Sequence, residues 1–432
     1  MNIAALHEIY LQCSEITTDS RKIKANSLFF ALKGERFDGN QYAAAALEKG
    51  AAYAVVDDDS LGENERFIRV ADSLKTLQAL STYHRQQFQI PVIAVTGSNG
   101  KTTSKELMAA VLSSHYPTHA TSGNFNNHIG VPLTLLRMPA ETKVAIVEMG
   151  MNHLGEIAAL CEIAVPTHGL ITNIGKAHLE GVGGTIEGVK QAKSELYRYL
   201  EKNNGLLFVN RDEPYLWELT QDYRKKLSYS KRAELAQHFI YQIELIEADV
   251  FVKVRFRDDL GQYIQVSSQL IGDYNFSNIM TAIVIGQYFK VPPLKIKAAI
   301  ENYVPANNRS QIVQRDEHTF ILDAYNANPA SMSASLHYLN RHPAENKIAI
   351  LGDMLELGEN SVLEHQMLLD EIEGFDFERV ILVGEQFKQC QHQYLHFDNT
   401  QALKTWFKQQ SFEQSTFLLK GSRGIRLEQL LV

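Results

Sequence analysis

Cysteine is scarce: there are three in 432 residues, at positions 13, 161 and 390. Their separation matches neither a disulfide framework nor a zinc site, which leaves reduced thiols. No apolar run approaches the roughly 18 residues that a membrane helix needs. The opening residues, Met-Asn-Ile-Ala-Ala-Leu-His-Glu, lack the basic start and small-residue cleavage site of a secretory signal, so a cytoplasmic chain without a membrane span is expected. Positive charge is also short, with 42 Lys and Arg against 50 Asp and Glu and a formal net charge of −8. That balance argues against a nucleic-acid partner, which demands a basic footprint. It leaves room for an anion held by a local cluster of amides and cations. What is present is an ordinary globular composition, 45% hydrophobic and 21% charged, at a length that suits two to four domains.

Strand candidates at 27–32 and 52–56 alternate with helical stretches at 42–49 and 73–87, which predicts a small α/β domain over 1–88. The Gln89-Ile90-Pro91 step resets the pattern. Short apolar runs at 92–95, 144–147, 170–172 and 206–209 are of the kind buried in a parallel sheet. Helical segments lie between them, for example Leu154, Ile157, Ala158 and Cys161. The alternation predicts a doubly wound sheet in a central domain over 89–305. Within it, 250–256 and 263–270 alternate around Asp258-Asp259-Leu260-Gly261 and read as an antiparallel hairpin. A third βα series, with strand candidates at 319–322, 347–351, 379–383 and 416–419, fills 306–432. The fold class is α/β in three domains.

The segment Thr96-Gly97-Ser98-Asn99-Gly100-Lys101-Thr102-Thr103 follows one of these strands and opens a helix predicted over 104–112. Glycines let several backbone N–H groups converge on phosphate oxygens, the helix start adds partial positive charge, and Lys101 adds a full one. Thr102 offers a hydroxyl to a divalent cation. The spacing departs from the strict phosphate-loop pattern, which would put glycine where Val95 stands. A bare Gly-Lys turn without a ligand is the plainer reading, and the flanking strand and helix disfavour it. The segment implies a nucleoside triphosphate but says nothing of the reaction.

Glu148 ends a predicted strand, where open α/β sheets place their ligands. His178 follows another, in Asn-Ile-Gly-Lys-Ala-His-Leu-Glu-Gly at 173–181. Each is by itself equally a helix cap or a hydrogen-bonded loop residue. Together near a phosphate loop they are candidate metal ligands. Lys193 recurs with Ile186, Val189, Leu196 and Leu200 on the apolar stripe of a helix predicted over 186–200. Such a lysine either extends its ammonium to water or becomes an amine of lowered pKa able to add CO₂. The residues alone leave both readings open.

These segments, and further ones, resemble the Mur ligase family nearly end to end. Besides the phosphate loop, the resemblance runs through Glu-Met-Gly-Met-Asn at 148–152, Ala-His-Leu-Glu-Gly at 177–181 and Ala-Lys-Ser-Glu at 192–195. It is strongest toward the branch that adds a D-alanyl dipeptide, on Gly-Asn-Phe-Asn-Asn-His-Ile-Gly-Val-Pro at 123–132, Asp-Ala-Tyr-Asn-Ala-Asn-Pro at 323–329, Leu-Gly-Asp-Met-Leu-Glu-Leu-Gly at 351–358 and Lys-Gly-Ser-Arg-Gly at 420–424.

The resemblance implies a UDP-sugar-binding N-terminal domain, a central ATP-binding domain and a C-terminal Rossmann-like domain. It implies ATP and Mg²⁺ as cofactors and a carbamylated Lys193. Lys101, Glu148, His178 and Lys193 would be catalytic, with Thr102, Glu148, His178 and Lys193 on metal. Thr96, Gly97, Ser98, Asn99, Gly100, Lys101, Thr102 and Thr103 would hold the ATP phosphates, with Asn275 and Asn278 near adenine and Arg309 and Asp323 at phosphates and ribose. Ser20, Arg21, Phe37, Asp38 and Gly39 would meet the uridine end, Thr121, Asn126 and Asn127 the muramoyl-peptide, and Asn326 and Asn328 also bind substrate. The expected substrates are UDP-N-acetylmuramoyl-tripeptide and D-Ala-D-Ala, and a monomer is expected. Asn308-Arg309-Ser310, where many relatives have Gly-Arg, and Asp273-Tyr274 before Asn275, where histidine is common, depart from the family pattern on the adenine side. The rivals are a sister amino-acid-adding ligase, a folylpolyglutamate synthase-like ligase, and a phosphate-loop NTPase switch with no amine acceptor.

Overall fold

Val92 and Ala94 point to one face of a strand while Ile93 and Val95 point to the other, and each face has its own apolar layer. The strand is Val92–Thr96, buried along its whole length. A run apolar on both faces is stable only at the centre of a sheet covered by helices on both sides. That is where it lies. Residues 2–35, 37–176, 179–232, 241–306 and 308–431 are described by the computed structural model.

The central sheet is parallel, in the order Lys226–Tyr229, Leu206–Asn210, His168–Ile171, Val92–Thr96, Val144–Glu148, Thr118–Ala120. The strand order reverses beside Val92–Thr96, so the loops leaving it and His168–Ile171 open a crevice at their carboxyl ends. One face carries the helices Lys101–Ser113 and Phe276–Tyr288, through Leu107, Met108, Val111 and Leu112 on the first and Ile279, Met280 and Ile283 on the second. The other face carries Glu156–Ala164 and Glu195–Lys202. An antiparallel sheet of Ile243–Glu247, Phe251–Arg257 and Tyr263–Ile271 joins the first layer, adding one strand to the hairpin expected there.

The N-terminal sheet is parallel and four-stranded, Ile16–Thr17, Leu28–Phe30, Tyr53–Val56, Phe67–Arg69. The C-terminal sheet runs Gln311–Arg315, His318–Asp323, Ser415–Lys420, Asn346–Gly352, Arg379–Val383, Leu395–Phe397. All its pairings are parallel except the first. The molecule is therefore three α/β domains, with the C-terminal sheet Rossmann-like.

On the second face of the central sheet, two local expectations differ from the structure. The helix expected over 186–200 is two helices, Ile186–Lys193 and Glu195–Lys202. At the break, the Ser194 hydroxyl donates to Gln191 O at 2.8 Å, offering the backbone a local alternative to the regular ladder. Leu154 stays outside its helix, which begins at Glu156 behind Gly155 with φ 85°. The Glu195 carboxylate closes that helix start, accepting from Gly155 N at 2.7 Å and Ala158 N at 2.9 Å.

Candidate active site

A cleft of about 970 Å³ lies between the central and C-terminal sheets. Its floor is the turn after Val92–Thr96. Gly97 has φ 148° and Gly100 φ 78°; a Cβ would overlap Thr172 Oγ1 at the first and Asn278 Oδ1 at the second. Glycine is required at both because the chain reverses in a conformation L-residues rarely adopt, hard against neighbours. The loop is braced from the adjacent strand-end: Ser98 N donates to Asn173 O at 3.0 Å, Asn99 N to Asn173 Oδ1 at 2.9 Å and Gly175 N to Ser98 Oγ at 2.9 Å. Gly100 caps the helix Lys101–Ser113, three residues earlier than expected, so Lys101 and Thr102 stand in its first turn.

Lys101 Nζ donates to Gly97 O at 2.7 Å, folded back over its own loop. Burial lowers its pKa, Glu148 and Glu356 oppose that, and Arg309 adds to it. Glu148 is the last residue of its strand and only 1% exposed. Its Oε1 accepts from the Thr102 hydroxyl at 3.2 Å and from Asn126 Nδ2 at 2.8 Å. Its backbone N–H donates to Thr121 Oγ1 at 2.9 Å. Its Oε2 is buried with no hydrogen-bond partner, and Lys105 Nζ lies 3.8 Å from it. A carboxylate oxygen left open beside a threonine hydroxyl is the hard donor set of a divalent cation that also binds phosphate and water. Among the described residues no three His, Cys, Asp or Glu side chains form a ready-made metal cage. His178 lies outside the described residues.

Lys193 does not extend to water; it is 1% exposed. Burial lowers its pKa well below the ordinary lysine value, and the charge of Lys101 pushes it the same way. The pair of effects favours a neutral amine.

The roof comes from the C-terminal domain. Asn328 caps the helix Pro329–Arg341 through a reciprocal bond with Ser331, and its Nδ2 donates to Asn99 Oδ1 of the phosphate loop at 2.7 Å. Asp323 accepts from Ser310 N at 3.1 Å and pairs with Lys420 at 2.8 Å. Arg309 stacks on Tyr325 with 3.6 Å from guanidinium carbon to ring centre, its Nε buried without a partner. Asn278 Oδ1 accepts from Ser104 Oγ at 2.9 Å, and Asn278 Nδ2 donates to Asn275 Oδ1 at 2.8 Å. Farther out, Lys176 pairs with Glu364 across the domains at 2.6 Å.

The cleft thus gathers Ser98 through Thr103, Asn126, Asn127, Glu148, Asn275, Asn278, Arg309, Asp323 and Asn326. Gly97 is the turn beneath it. Thr96 and Thr121 are buried behind it, and Asn127 Oδ1 is occupied by the backbone N–H groups of Ile129 and Gly130. Ser20, Arg21, Phe37, Asp38 and Gly39 belong to the N-terminal domain and do not line it. There, Arg21 is paired with Asp19 at 2.9 Å, Asp38 caps the turn at Asn40, and Phe37 is 60% exposed. Sequence reasoning missed Lys105, Asn173, Tyr325 and Glu356. Lys105 was findable, one helical turn beyond Lys101 on the same face.

Three family descriptions match the chain: Mur ligase family, catalytic domain, over 12–85; Mur ligase middle domain over 95–286; and Mur ligase, glutamate ligase domain, over 308–423. The chain is 34% identical over 440 residues to UDP-N-acetylmuramoyl-tripeptide--D-alanyl-D-alanine ligase of Bacillus subtilis (strain 168), covering 96% of this chain and 92% of that one. It is similar to a crystal structure of MurF from Acinetobacter baumannii, with TM-score 0.86, 28% identity, and 100% of this chain and 97% of that chain covered. It is also similar to MurF ligase from Thermotoga maritima in complex with ADP, with TM-score 0.84, 25% identity and coverage of 98% and 97%.

Proposed function

The chain belongs to the Mur ligase family, and from that premise we infer that this cleft joins D-Ala-D-Ala to UDP-N-acetylmuramoyl-tripeptide at the expense of ATP. The observation that carries the reading is the meeting of phosphate loop, Thr102 and Glu148 beneath a second domain whose Asn328 reaches Asn99. An NTPase switch needs the first part and has no use for a second domain closed over the phosphates.

A carboxylate acylates poorly because its leaving group is oxide-like. Transfer of the γ-phosphoryl group makes phosphate the leaving group. The protein's task is to hold the tripeptide carboxylate in line with the γ-phosphorus and to neutralise the charge that spreads over the phosphoryl oxygens. The loop amides and Lys101 do the second. Asn275 and Asn278 sit at the base side of the nucleotide, and Arg309, held flat on Tyr325, faces its phosphates. The closed roof keeps water from the acyl phosphate.

Mg²⁺ fits Thr102 and Glu148, where Oε2 is open, and supplies charge neutralisation when bound. Lys193, buried and with its pKa lowered by burial and by the charge of Lys101, fits a carbamate, whose negative charge Lys101 would offset. With Glu148 and His178 this would complete a second cation site. The N-terminal residues Ser20, Arg21, Phe37, Asp38 and Gly39 take the uridine end. The sugar nucleotide and the dipeptide are both water-soluble, and among the described residues no helix is long and apolar enough to cross a membrane. We place the reaction in the cytosol, on a monomer whose cleft one chain completes.

A phosphate-release assay with ATP, the UDP-muramoyl-tripeptide and a panel of amines tests the assignment. D-Ala-D-Ala should give product. Product with a single amino acid and none with the dipeptide would move the chain to a sister ligase.

A further inference from the structure

The acceptor in the proposed ligation has two ends to be held. Its amine goes to the acyl phosphate. Its carboxylate, with an ordinary pKa of roughly 3.5, stays ionised, and a closed cleft takes it out of water at high cost unless a cation meets it.

In that reading the floor of the cleft is given over to ATP and the acid, so the acceptor lies against the C-terminal domain. Three cations of that domain line the cleft: Arg309, Lys420 and Arg423. Lys420 ends the strand Ser415–Lys420, is 2% exposed, and is held by Asp323 at 2.8 Å and by Asn326 O at 2.9 Å. Arg309 lies flat on Tyr325 and is assigned above to the phosphates.

Arg423 is placed differently. It is exposed to the cleft. Its guanidinium carbon lies 5.2 Å from the centre of the same Tyr325 ring, and its Nη1 lies 3.5 Å from the phenol oxygen. Neither contact neutralises its charge. The loop beneath it is fixed: Ser422 N donates to Asp353 O at 3.1 Å, and Ser422 Oγ accepts from Leu355 N at 2.9 Å. Gly421 packs so closely on Gly352 that a Cβ would stand 2.9 Å from the Gly352 Cα. A guanidinium on a fixed loop presents the planar fork that a carboxylate engages through two parallel hydrogen bonds.

With Arg309 3.6 Å from the Tyr325 ring centre and Arg423 5.2 Å from it, the two guanidiniums share one ring. An extended dipeptide spans about 7 Å, so its amine can lie at the phosphates while its carboxylate reaches Arg423.

We propose that Arg423 binds the carboxylate of the incoming dipeptide and so selects acceptors that end in a free acid; this rests on the ligase reading above. Arg423 touches neither the acyl carbon nor the attacking nitrogen. Its contact is made equally before and during the reaction, so it raises affinity and leaves the chemical step alone.

The test compares D-Ala-D-Ala with D-alanyl-D-alaninamide, which keeps the amine and loses the negative charge, in the wild type, Arg423→Met and Arg423→Lys. The wild-type KM for the acid should lie about ten- to a hundredfold below that for the amide, the scale of hydrogen bonds to a charged group. Arg423→Met should raise the KM for the acid by that factor with kcat little changed, and leave the amide's kinetics where they were. Unaltered turnover of the amide also shows that the variant is folded. Arg423→Lys should recover part of the preference. A wild type indifferent to amidation overturns the proposal, as does an Arg423→Met variant that keeps its preference for the acid or loses both acceptors alike. A wild type that ligates neither dipeptide but accepts a single amino acid would instead overturn the D-Ala-D-Ala reading, and this inference with it.

Discussion

The Thr102 hydroxyl meets Glu148 Oε1 at 3.2 Å, although 46 residues separate them in sequence. The contact joins the first turn of the phosphate-loop helix to the end of the neighbouring strand, and it puts two oxygens where a cation would meet the phosphates. Glu148→Gln keeps the shape and the Asn126 contact but removes the charge. Turnover should fall by about a hundredfold or more, the scale of losing one preorganised charge at a reacting phosphoryl group, with the fold retained. Phosphate release and circular dichroism check it; near-normal turnover would remove Glu148 from the cation site.

Lys193→Ala should largely abolish turnover, and added short-chain carboxylic acids should restore part of it by supplying the missing carboxylate. Stability responds in the opposite sense. A lysine whose pKa is depressed by burial and by Lys101 binds fewer protons folded than unfolded below its ordinary 10.5, so it costs stability as pH falls. Lys193→Met should therefore flatten the rise of stability toward alkaline pH, measured by urea denaturation without CO₂. Full activity in Lys193→Ala would eliminate the carbamate.

Asn328→Ser keeps a good helix cap but cannot reach Asn99. KM for ATP should rise roughly five- to thirtyfold, as the loss of one or two hydrogen bonds of about 1 kcal/mol each would give, while the melting temperature stays put. An unchanged KM would mean that this contact does not contribute to closure.

His7 Nε2 and His84 Nδ1 lie 3.0 Å apart where the N-terminal helices Ile3–Gln12 and Ser73–Gln86 pack, among Tyr10, Tyr83 and Phe88. Burial first, and His7 second, bring His84 down from 6.5 to about 4. Between those values the unfolded chain binds more protons, so His84 costs stability progressively as pH falls from 6.5 toward 4. By pH 5 the loss is about 2 kcal/mol, and His7, lowered mainly by burial, adds to it. In His84→Phe most of that pH dependence should vanish from denaturation curves at pH 7 and 5; an unchanged slope would place it elsewhere.

The parts of the site written in local pattern were legible. Glycines at 97 and 100, an apolar run before them and Lys101 after them state a phosphate loop in eight residues. Continuous apolar runs state the parallel strands, period-two alternation the antiparallel hairpin, and period-three-to-four spacing the covering helices. Glu148 was legible as a strand end. Contacts made only by tertiary closure were not. Asn99 and Asn328 are 229 residues apart, and nothing near either announces the other. Glu356 reads as an ordinary turn residue, since its left-handed backbone leaves no mark in composition. The strands Thr118–Ala120 and Lys226–Tyr229 lie at sheet edges, too short and too polar to stand out. Lys193 was legible on an apolar stripe, with water and burial both open; its lowered pKa comes from burial first and Lys101 second, and both are set by tertiary packing.

Activation of the acid as an acyl phosphate is the claim on which the rest stands. UDP-N-acetylmuramoyl-tripeptide labelled with ¹⁸O in its terminal carboxylate should be turned over with ATP and D-Ala-D-Ala, and the released phosphate analysed by mass spectrometry. One labelled oxygen should appear in each phosphate, in step with amide formed. Phosphate carrying no label from the carboxylate, or released at the same rate without the tripeptide, would contradict it.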